Sequence, residues 1–265
     1  MDMKPWVLAG VCCLMLLGAG CSVAVHPEST IPTKPATDAN GSSVWVAVAP
    51  FIEKLVFSDQ EKSHATAVIY RAARGAFNWH FVQSTSVHPV ATWADALPKA
   101  VLVSNGVYFT DEGLPAGFLS INGTRIGTHV FDANKSGAFV LTPEPHIIDT
   151  AAKQLSFKEI SDGAQSYPIL IRHGVDALTT STSTAVARRT FVGTDKQQNV
   201  YVGIISDQVI SLGNLAHLLM RTGIPWDMVL NLDGGPSSGI YVRAVTSTEL
   251  INSDTGVANV LVAEP

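Results

Sequence analysis

Most of this 265-residue chain lacks cysteine: all three, Cys12, Cys13 and Cys21, fall within its first 21 residues. No disulfide can therefore brace the body, whose stability has to come from a buried core. It also lacks any stripe or run of Lys and Arg, with 17 basic against 22 acidic residues. That balance argues against a nucleic-acid ligand and against a polybasic membrane patch. Residues 6–20 form the one long apolar run, and it falls short of the roughly 20 residues a membrane-spanning helix needs.

That run follows Lys4 and consists almost wholly of Val, Leu, Ala, Met, Cys and Gly, the pattern of a signal peptide's apolar core. It closes on Leu16-Leu17-Gly18-Ala19-Gly20-Cys21, which resembles the lipobox of bacterial lipoproteins. The resemblance implies that residues 1–20 are removed and that Cys21 becomes a lipidated N-terminus, a stable anchor once more than one acyl chain is attached. An ordinary secretory signal cleaved nearby is the alternative. Ser22 after Cys21 is unlike the Asp that retains such lipoproteins at the inner membrane, so the resemblance implies the cell envelope, at the outer membrane facing the periplasm, or the outside of the cell in a single-membrane bacterium. Residues 21–43 are rich in Pro, Thr, Ser, Asn and Asp and read as a disordered tether spanning on the order of 25 Å, stiffened at Pro27, Pro32 and Pro35.

Residues 44–265 suit one domain with a substantial core. Short β-type runs punctuated by glycine predict strands over 44–48, 65–70, 100–103, 118–121, 138–141, 169–172, 200–205, 228–232 and 240–242. Two helices are expected, one capped by Thr92 and running to about Leu97, the other capped by Ser211 over 212–221 and ended by Gly223. Leu212, Leu215, Ala216, Leu219 and Met220 share a face of the second, and His217 reads as a surface residue. The expected fold is α+β, a single domain of mixed or antiparallel sheet flanked by a few helices.

Chemistry concentrates where the apolar run 228–232 stops on Asp233-Gly234-Gly235-Pro236-Ser237-Ser238. A carboxylate at a strand's end, glycines that admit close backbone approach and two hydroxyl donors together form a plausible anion cradle. A plain hairpin turn is the competing reading, since Asp-Gly is a common turn pair. Ser104-Asn105-Gly106-Val107-Tyr108-Phe109 has the same texture, with aromatics on which a sugar can stack. Arg188 and Arg189 precede another strand and could clamp a phosphate bidentately. Asp195 reads as a hairpin-turn residue. Residues 132–137 imitate half a calcium loop but have Pro143 where the bidentate Glu belongs, and so read as a surface turn.

The order of these motifs resembles the phosphodiester glycosidase family over residues 44–265. It is carried by Asn105-Gly106-Val107-Tyr108-Phe109, Leu114-Pro115-Ala116-Gly117-Phe118, Gln165-Ser166-Tyr167-Pro168, Arg189-Thr190-Phe191-Val192-Gly193, Asn231-Leu232-Asp233-Gly234-Gly235-Pro236-Ser237-Ser238 and Val257-Ala258-Asn259-Val260-Leu261. Three positions depart from the family's glycines, namely Val107, Tyr167 and Pro236. The last removes a backbone N–H from the turn.

The resemblance implies hydrolysis of the bond between a sugar's anomeric carbon and phosphate, with a carbohydrate or glycosyl-phosphate substrate. It assigns Asp233 as base, nucleophile or metal ligand, Asn105 and Gln165 to positioning the sugar, Tyr108 to sugar contact and Arg189 to the phosphate. Gly234, Gly235, Ser237 and Ser238 would line the cradle. Asp233 is also the one candidate ligand for a divalent cation, calcium or magnesium. The three departures support an alternative, a non-catalytic glycan-binding lipoprotein of the same fold.

Overall fold

A computed structural model describes residues 43–130, 137–152, 158–178 and 184–265. Cys21, the tether and, apart from Gly137, the calcium-loop-like stretch lie outside them. In chain order the strands are β1 (Val46–Ala49), β2 (Ile52–Ser58), β3 (Thr66–Ala72), β4 (Asn78–His88), β5 (Leu102–Asn105), β6 (Leu119–Ile121), β7 (Thr124–Ile126), β8 (Gly137–Val140), β9 (His146–Asp149), β10 (Gly163–Ser166), β11 (Ile169–Arg172), β12 (Val175–Asp176), β13 (Val186–Asp195), β14 (Val200–Ser211), β15 (Trp226–Asn231), β16 (Ile240–Arg243), β17 (Thr248–Ile251) and β18 (Val257–Glu264). The α-helices among the described residues are α1 (Val90–Ala96) and α2 (Leu212–Arg221).

The expectation of an α+β fold is corrected to a mostly-β one. The strands form an eight-stranded sheet in the order β1-β2-β3-β14-β13-β15-β11-β12 and two five-stranded sheets, β7-β6-β10-β8-β9 and β17-β16-β5-β18-β4. Neighbouring strands pair antiparallel throughout. Several strands escape a reading by apolar runs because polar residues interrupt them, as Glu53 and Lys54 do in β2 and His80, Gln83 and Ser84 in β4.

The period of two along each strand separates the layers. Val200, Val202 and Ile204 of β14 face a central core shared with Leu102, Ile240 and Leu261 of the β5 sheet and with Leu119 and Phe139 of the third sheet. Tyr201 and Ile205 face the other way and pack under Leu215, Leu218 and Leu219 of α2. Val103, Val260 and Val262 likewise turn outward to meet Val90, Trp93 and Ala94 of α1. Each helix thus covers the outer face of a sheet, and all three sheets share the central core. Truncating a buried leucine of α2 to alanine costs about 2–5 kcal/mol.

The buried face of α2 includes Leu218, while Met220 is exposed and His217 half-buried. Ser211 caps α2 as expected, accepting from Asn214 N–H at 3.2 Å. Thr92 does not cap α1 but sits inside it. The first free amides of α1 are met instead by a distant loop: Val90 N–H donates to Ser253 Oγ at 3.2 Å and Ala91 N–H to Asn252 Oδ1 at 3.1 Å. No helix among the described residues is long and apolar enough to cross a membrane.

Candidate active site

β15 runs buried from Met228 to Asn231 and the chain turns immediately afterwards, so Asp233 stands at the strand's C-terminal end, half-buried. Gly235, at φ +59°, sets the turn, and residues Gly235–Ser237 make one 3-10 turn. Asp233 Oδ1 accepts from Gly234 N–H at 2.8 Å, and the Ser237 hydroxyl is a second partner of the carboxylate. Burial raises the Asp233 pKa from its ordinary value, and those two hydrogen bonds offset the rise in part.

Arg189 of β13 lies against this turn. A Cβ at Gly234 would meet the Arg188 carbonyl at 2.8 Å and Arg189 Cδ at 3.8 Å. The Arg189 guanidinium is buried and donates to the carbonyls of Ile210 at 3.0 Å and Ala185 at 2.9 Å. No carboxylate pairs with it among the described residues, and its burial depresses the pKa. A buried, unneutralised cation with donors to spare is a demand for an anion. Ser238 at the end of the turn adds a fully buried hydroxyl that has no hydrogen-bonding partner among the described residues.

The two neighbouring arginines do not act together. A bulge lies between Ala187 and Arg189 in the pairing with β14. Arg188 ion-pairs with Asp254 at 2.6 Å and donates to the Ser238 carbonyl at 2.7 Å. The expected bidentate clamp is therefore replaced by a division of labour: Arg188 braces the turn from outside and Arg189 lies against it. Pro236 is exposed, and its carbonyl accepts from Asp254 N–H at 2.8 Å and Thr255 N–H at 3.2 Å. Its ring thus sits on the outer side of the turn.

Asn105 is held against the turn by hydrogen bonds within the protein, while Gln165 lies in β10 with its side-chain oxygen on the Phe118 amide. Asn105, fully buried at the end of β5, donates to the Asp233 carbonyl at 2.8 Å. It accepts from Thr190 Oγ1 at 2.8 Å and from Gly239 N–H at 3.1 Å. Its side chain ties β5, β13 and both ends of the Asp233 turn into one piece. Gln165, also buried, accepts from Phe118 N–H at 3.2 Å, while its own N–H donates to the Phe118 carbonyl at 2.7 Å. Val107, where the family has glycine, is a buried core residue, with its amide held by Asn259 Oδ1 at 2.7 Å.

Tyr108 does reach the site. Its hydroxyl accepts from Asn231 Nδ2 at 2.7 Å, and its ring stacks on Tyr167 with centroids 4.9 Å apart and planes at 28°. Burial raises the Tyr108 pKa first and foremost, and the nearby Asp233 charge adds to it. Asn231 itself, absent from the expected site residues, is the organiser of this corner. Its amide also donates to the carbonyls of Tyr167 at 2.9 Å and Leu232 at 2.7 Å, and Ser166 Oγ donates to its carbonyl at 2.6 Å. A buried Asn two residues before the carboxylate, in an otherwise apolar strand, was the available signal.

Asp195 sits at the far end of β13, buried, accepting from Gln197 and Asn199 N–H and from Tyr201 Oη. It is a turn residue, as its sequence context suggests. Among the described residues no three of His, Cys, Asp or Glu gather in a group able to hold a metal.

No curated protein matches the chain. Among solved structures, it is similar to the catalytic domain of zebrafish N-acetylglucosamine-1-phosphodiester alpha-N-acetylglucosaminidase, auto-inhibited by its pro-peptide. That match has a TM-score of 0.60 and 14% identity, covering 90% of this chain and 94% of that one. A protein from Synechocystis matches at TM-score 0.55 and 14% identity over 81% of this chain, which spans 62% of that one. A protein from Burkholderia pseudomallei K96243 matches at TM-score 0.51 and 11% identity, over 77% and 74% of the two chains. These likenesses are of fold. The sequence pattern of the phosphodiester glycosidase family matches residues 98–264, a span that holds the Asn105, Arg189 and Asp233 segments, and the chain belongs to that family.

Proposed function

We propose that this protein is an envelope-anchored hydrolase that cleaves the sugar–phosphate bond of glycosyl phosphodiesters in cell-surface or envelope glycans. The observation that carries this is a half-buried Asp233 carboxyl of raised pKa on the same glycine turn against which the Arg189 side chain packs, Arg189 being buried with no carboxylate partner among the described residues. A raised carboxyl pKa suits a general base, because it brings the base closer to the working pH. Asp233 takes a proton from water as the water oxygen bonds to the anomeric carbon and the bond from that carbon to the phosphate oxygen breaks. The products are a free reducing sugar and a phosphate monoester.

A phosphate monoester, whose second pKa is about 6, leaves without the protonated carboxylic acid that ordinary glycosides require. One carboxylate therefore suffices, provided the developing charge is held. Arg189 is the group that would hold it, assisted by the Ser238 hydroxyl. Asn105 and Asn231 act as positioning residues, fixing the turn and Tyr108.

The test is the release of reducing sugar from a panel of hexosyl and N-acetylhexosaminyl phosphodiesters by the domain from residue 43 onward. Wild type and Asp233→Asn are compared in EDTA and in added calcium or magnesium. Release by the wild type and none by the variant is expected. Binding without release by the wild type would leave a glycan-binding lipoprotein, and equal release by both would remove Asp233 from the chemistry. Anchoring is tested separately, since Cys21→Ser should free the protein from the membrane fraction.

A further inference from the structure

The three sheets have six edge strands among the described residues, and five of them are short. β1, β7, β9, β12 and β17 run for two to four residues each, whereas β4 runs for 11. Folded proteins guard an edge with brevity, charge or proline, since its unpaired N–H and C=O groups are a template for another strand. β4 has none of these guards, for Asn78–His88 contains no Lys, Arg, Asp, Glu or Pro.

Half of that edge is open. Gly106 N–H donates to the Asn259 carbonyl at 3.0 Å, so Asn259, Leu261 and Ala263 of β18 spend their backbone groups on β5. Val260, Val262 and Glu264 are left to bond Val82, His80 and Asn78 of β4. Trp79, Phe81 and Gln83 therefore turn their N–H and C=O groups to the outer side, where β4 has no neighbouring strand among the described residues. Beyond Gln83 the edge is covered by the loop at Gly113: Gln83 Nε2 donates to the Gly113 carbonyl at 2.7 Å, and a Cβ on Gly113 would meet the Thr85 carbonyl at 2.9 Å.

A cavity of about 520 Å³ follows the open stretch and is lined by every residue from Asn78 to Gln83. Side chains alternate across a strand, so a cavity that touches six in succession runs along its edge. Ile121, Asn122, Thr142 and Asp162 form the facing wall. A second cavity of about 380 Å³ shares Asn78, Trp79 and Thr142 with the first, and the two make one slot. Its charges are met within the protein, Arg74 by Glu144 at 2.8 Å and Asp162 by the Asn122 N–H at 2.7 Å and the Ser161 hydroxyl at 2.8 Å. Gln83 Oε1, buried at one end, is an acceptor with no hydrogen-bonding partner among the described residues.

We propose that this slot receives an uncharged, extended segment of a partner polypeptide, which adds to β4 as a further strand over residues 78–83. The outward main-chain groups of Trp79, Phe81 and Gln83 supply the affinity, as in strand addition to other exposed sheet edges. Six residues of strand offer about 20 Å of such an edge. The partner is a lone strand and not a second copy of this chain, because the edge of a packed sheet would meet the wall opposite β4.

Amide exchange of the whole protein, read residue by residue by NMR, tests this with a pool of capped hexapeptides that alternate threonine with valine, leucine or phenylalanine. In the protein alone the Trp79, Phe81 and Gln83 amides should exchange fast and those of His80 and Val82 slowly. The pool should slow the first three by about tenfold or more and leave the other two unchanged. Fully N-methylated versions of the same peptides lack every main-chain donor and should give no protection. Thr142→Arg, at an exposed position where the two cavities meet, should abolish protection without moving the thermal midpoint.

Slow exchange of those three amides in the protein alone would mean that the edge is already covered, and would overturn the assignment. Equal protection by the N-methylated peptides would do the same, as would protection that appears only when the protein itself dimerises. Protection by maltotetraose or an N-acetylglucosamine tetrasaccharide but not by the peptides would make the slot a glycan site instead, and protection by none of these probes would leave no slot to fill.

Discussion

Two aspartates end neighbouring stretches of the same sheet, and their surroundings could hardly differ more. Asp195 closes β13 and Asp233 follows β15, at opposite ends of a strand pair, on the order of 20 Å apart by the rise of the strand. Asp195 is saturated, with two backbone amides, the Asn199 side chain at 2.7 Å and the Tyr201 hydroxyl at 2.7 Å. Asp233 has one backbone amide and one serine, with burial pushing its pKa up. A carboxylate whose acceptor sites are filled holds the chain in place, whereas one left short of donors has capacity for a substrate. Hydrogen-bond saturation distinguishes them, not exposure alone, because both are removed from bulk water.

Exchanging each for asparagine is the sharpest way to break that comparison. Asp233→Asn should lower kcat/KM by about 10²–10⁴, the usual contribution of general-base catalysis. Asp195→Asn should leave kcat within twofold, on the order of what remote surface changes do, while urea unfolding shows a loss of about 1–3 kcal/mol from the mismatched donors. Equal losses of activity in both variants would mean that the two carboxylates do not differ in role.

Arg189 comes next in expected effect. Arg189→Met should cost about 10²–10³ in kcat/KM, and Arg189→Lys should not restore it, because an ammonium cannot keep both carbonyl contacts and still face the phosphate. Arg188→Met should instead act mainly on stability, since that side chain braces the turn through Ser238 and Asp254. Steady-state kinetics beside thermal unfolding separates the pair.

The smallest effect is on pH dependence. Because the folded state raises the Asp233 pKa, it binds that proton more tightly than the unfolded chain does. Asp233 therefore destabilises the fold at neutral pH, a cost relieved as pH falls through its folded pKa. Asp233→Asn should be more stable than wild type at neutral pH, with the difference vanishing in acid. The acid limb of wild-type activity should have its midpoint above 3.8, the ordinary carboxyl value. Asp195→Asn should show no such gain in stability at neutral pH.

Parts of this arrangement were legible in the sequence and parts were not. An apolar strand ending on Asp233 and two glycines, the Ser211 cap and the Asp195 turn are local patterns, settled within a few residues by backbone chemistry. The fates of Arg188 and Arg189 were not, because adjacent side chains of a strand point to opposite faces and their partners, Ser238 and Asp254 for one, Ala185 and Ile210 for the other, are set by the fold. The cap of α1 was equally hidden: its acceptors, Asn252 and Ser253, arrive from across the chain. Asn105 and Gln165 stood out as polar residues in ordered motifs, yet sequence could not show that their hydrogen bonds are spent on Asp233, Thr190 and Phe118 within the protein. The mostly-β character was missed where polar residues interrupt the strands, as they do in β2 and β4.

The loop at residues 252–255 serves two masters. Asn252 and Ser253 meet the first amides of α1, while Asp254 and Thr255 hold Arg188 and the Pro236 carbonyl of the Asp233 turn. A change there is felt at a helix end and at the Asp233 turn at once. Drift in this loop is therefore doubly constrained, and residues Arg188, Asn252 and Asp254 should be inherited as a set, so that a homologue which has replaced one has re-engineered the others.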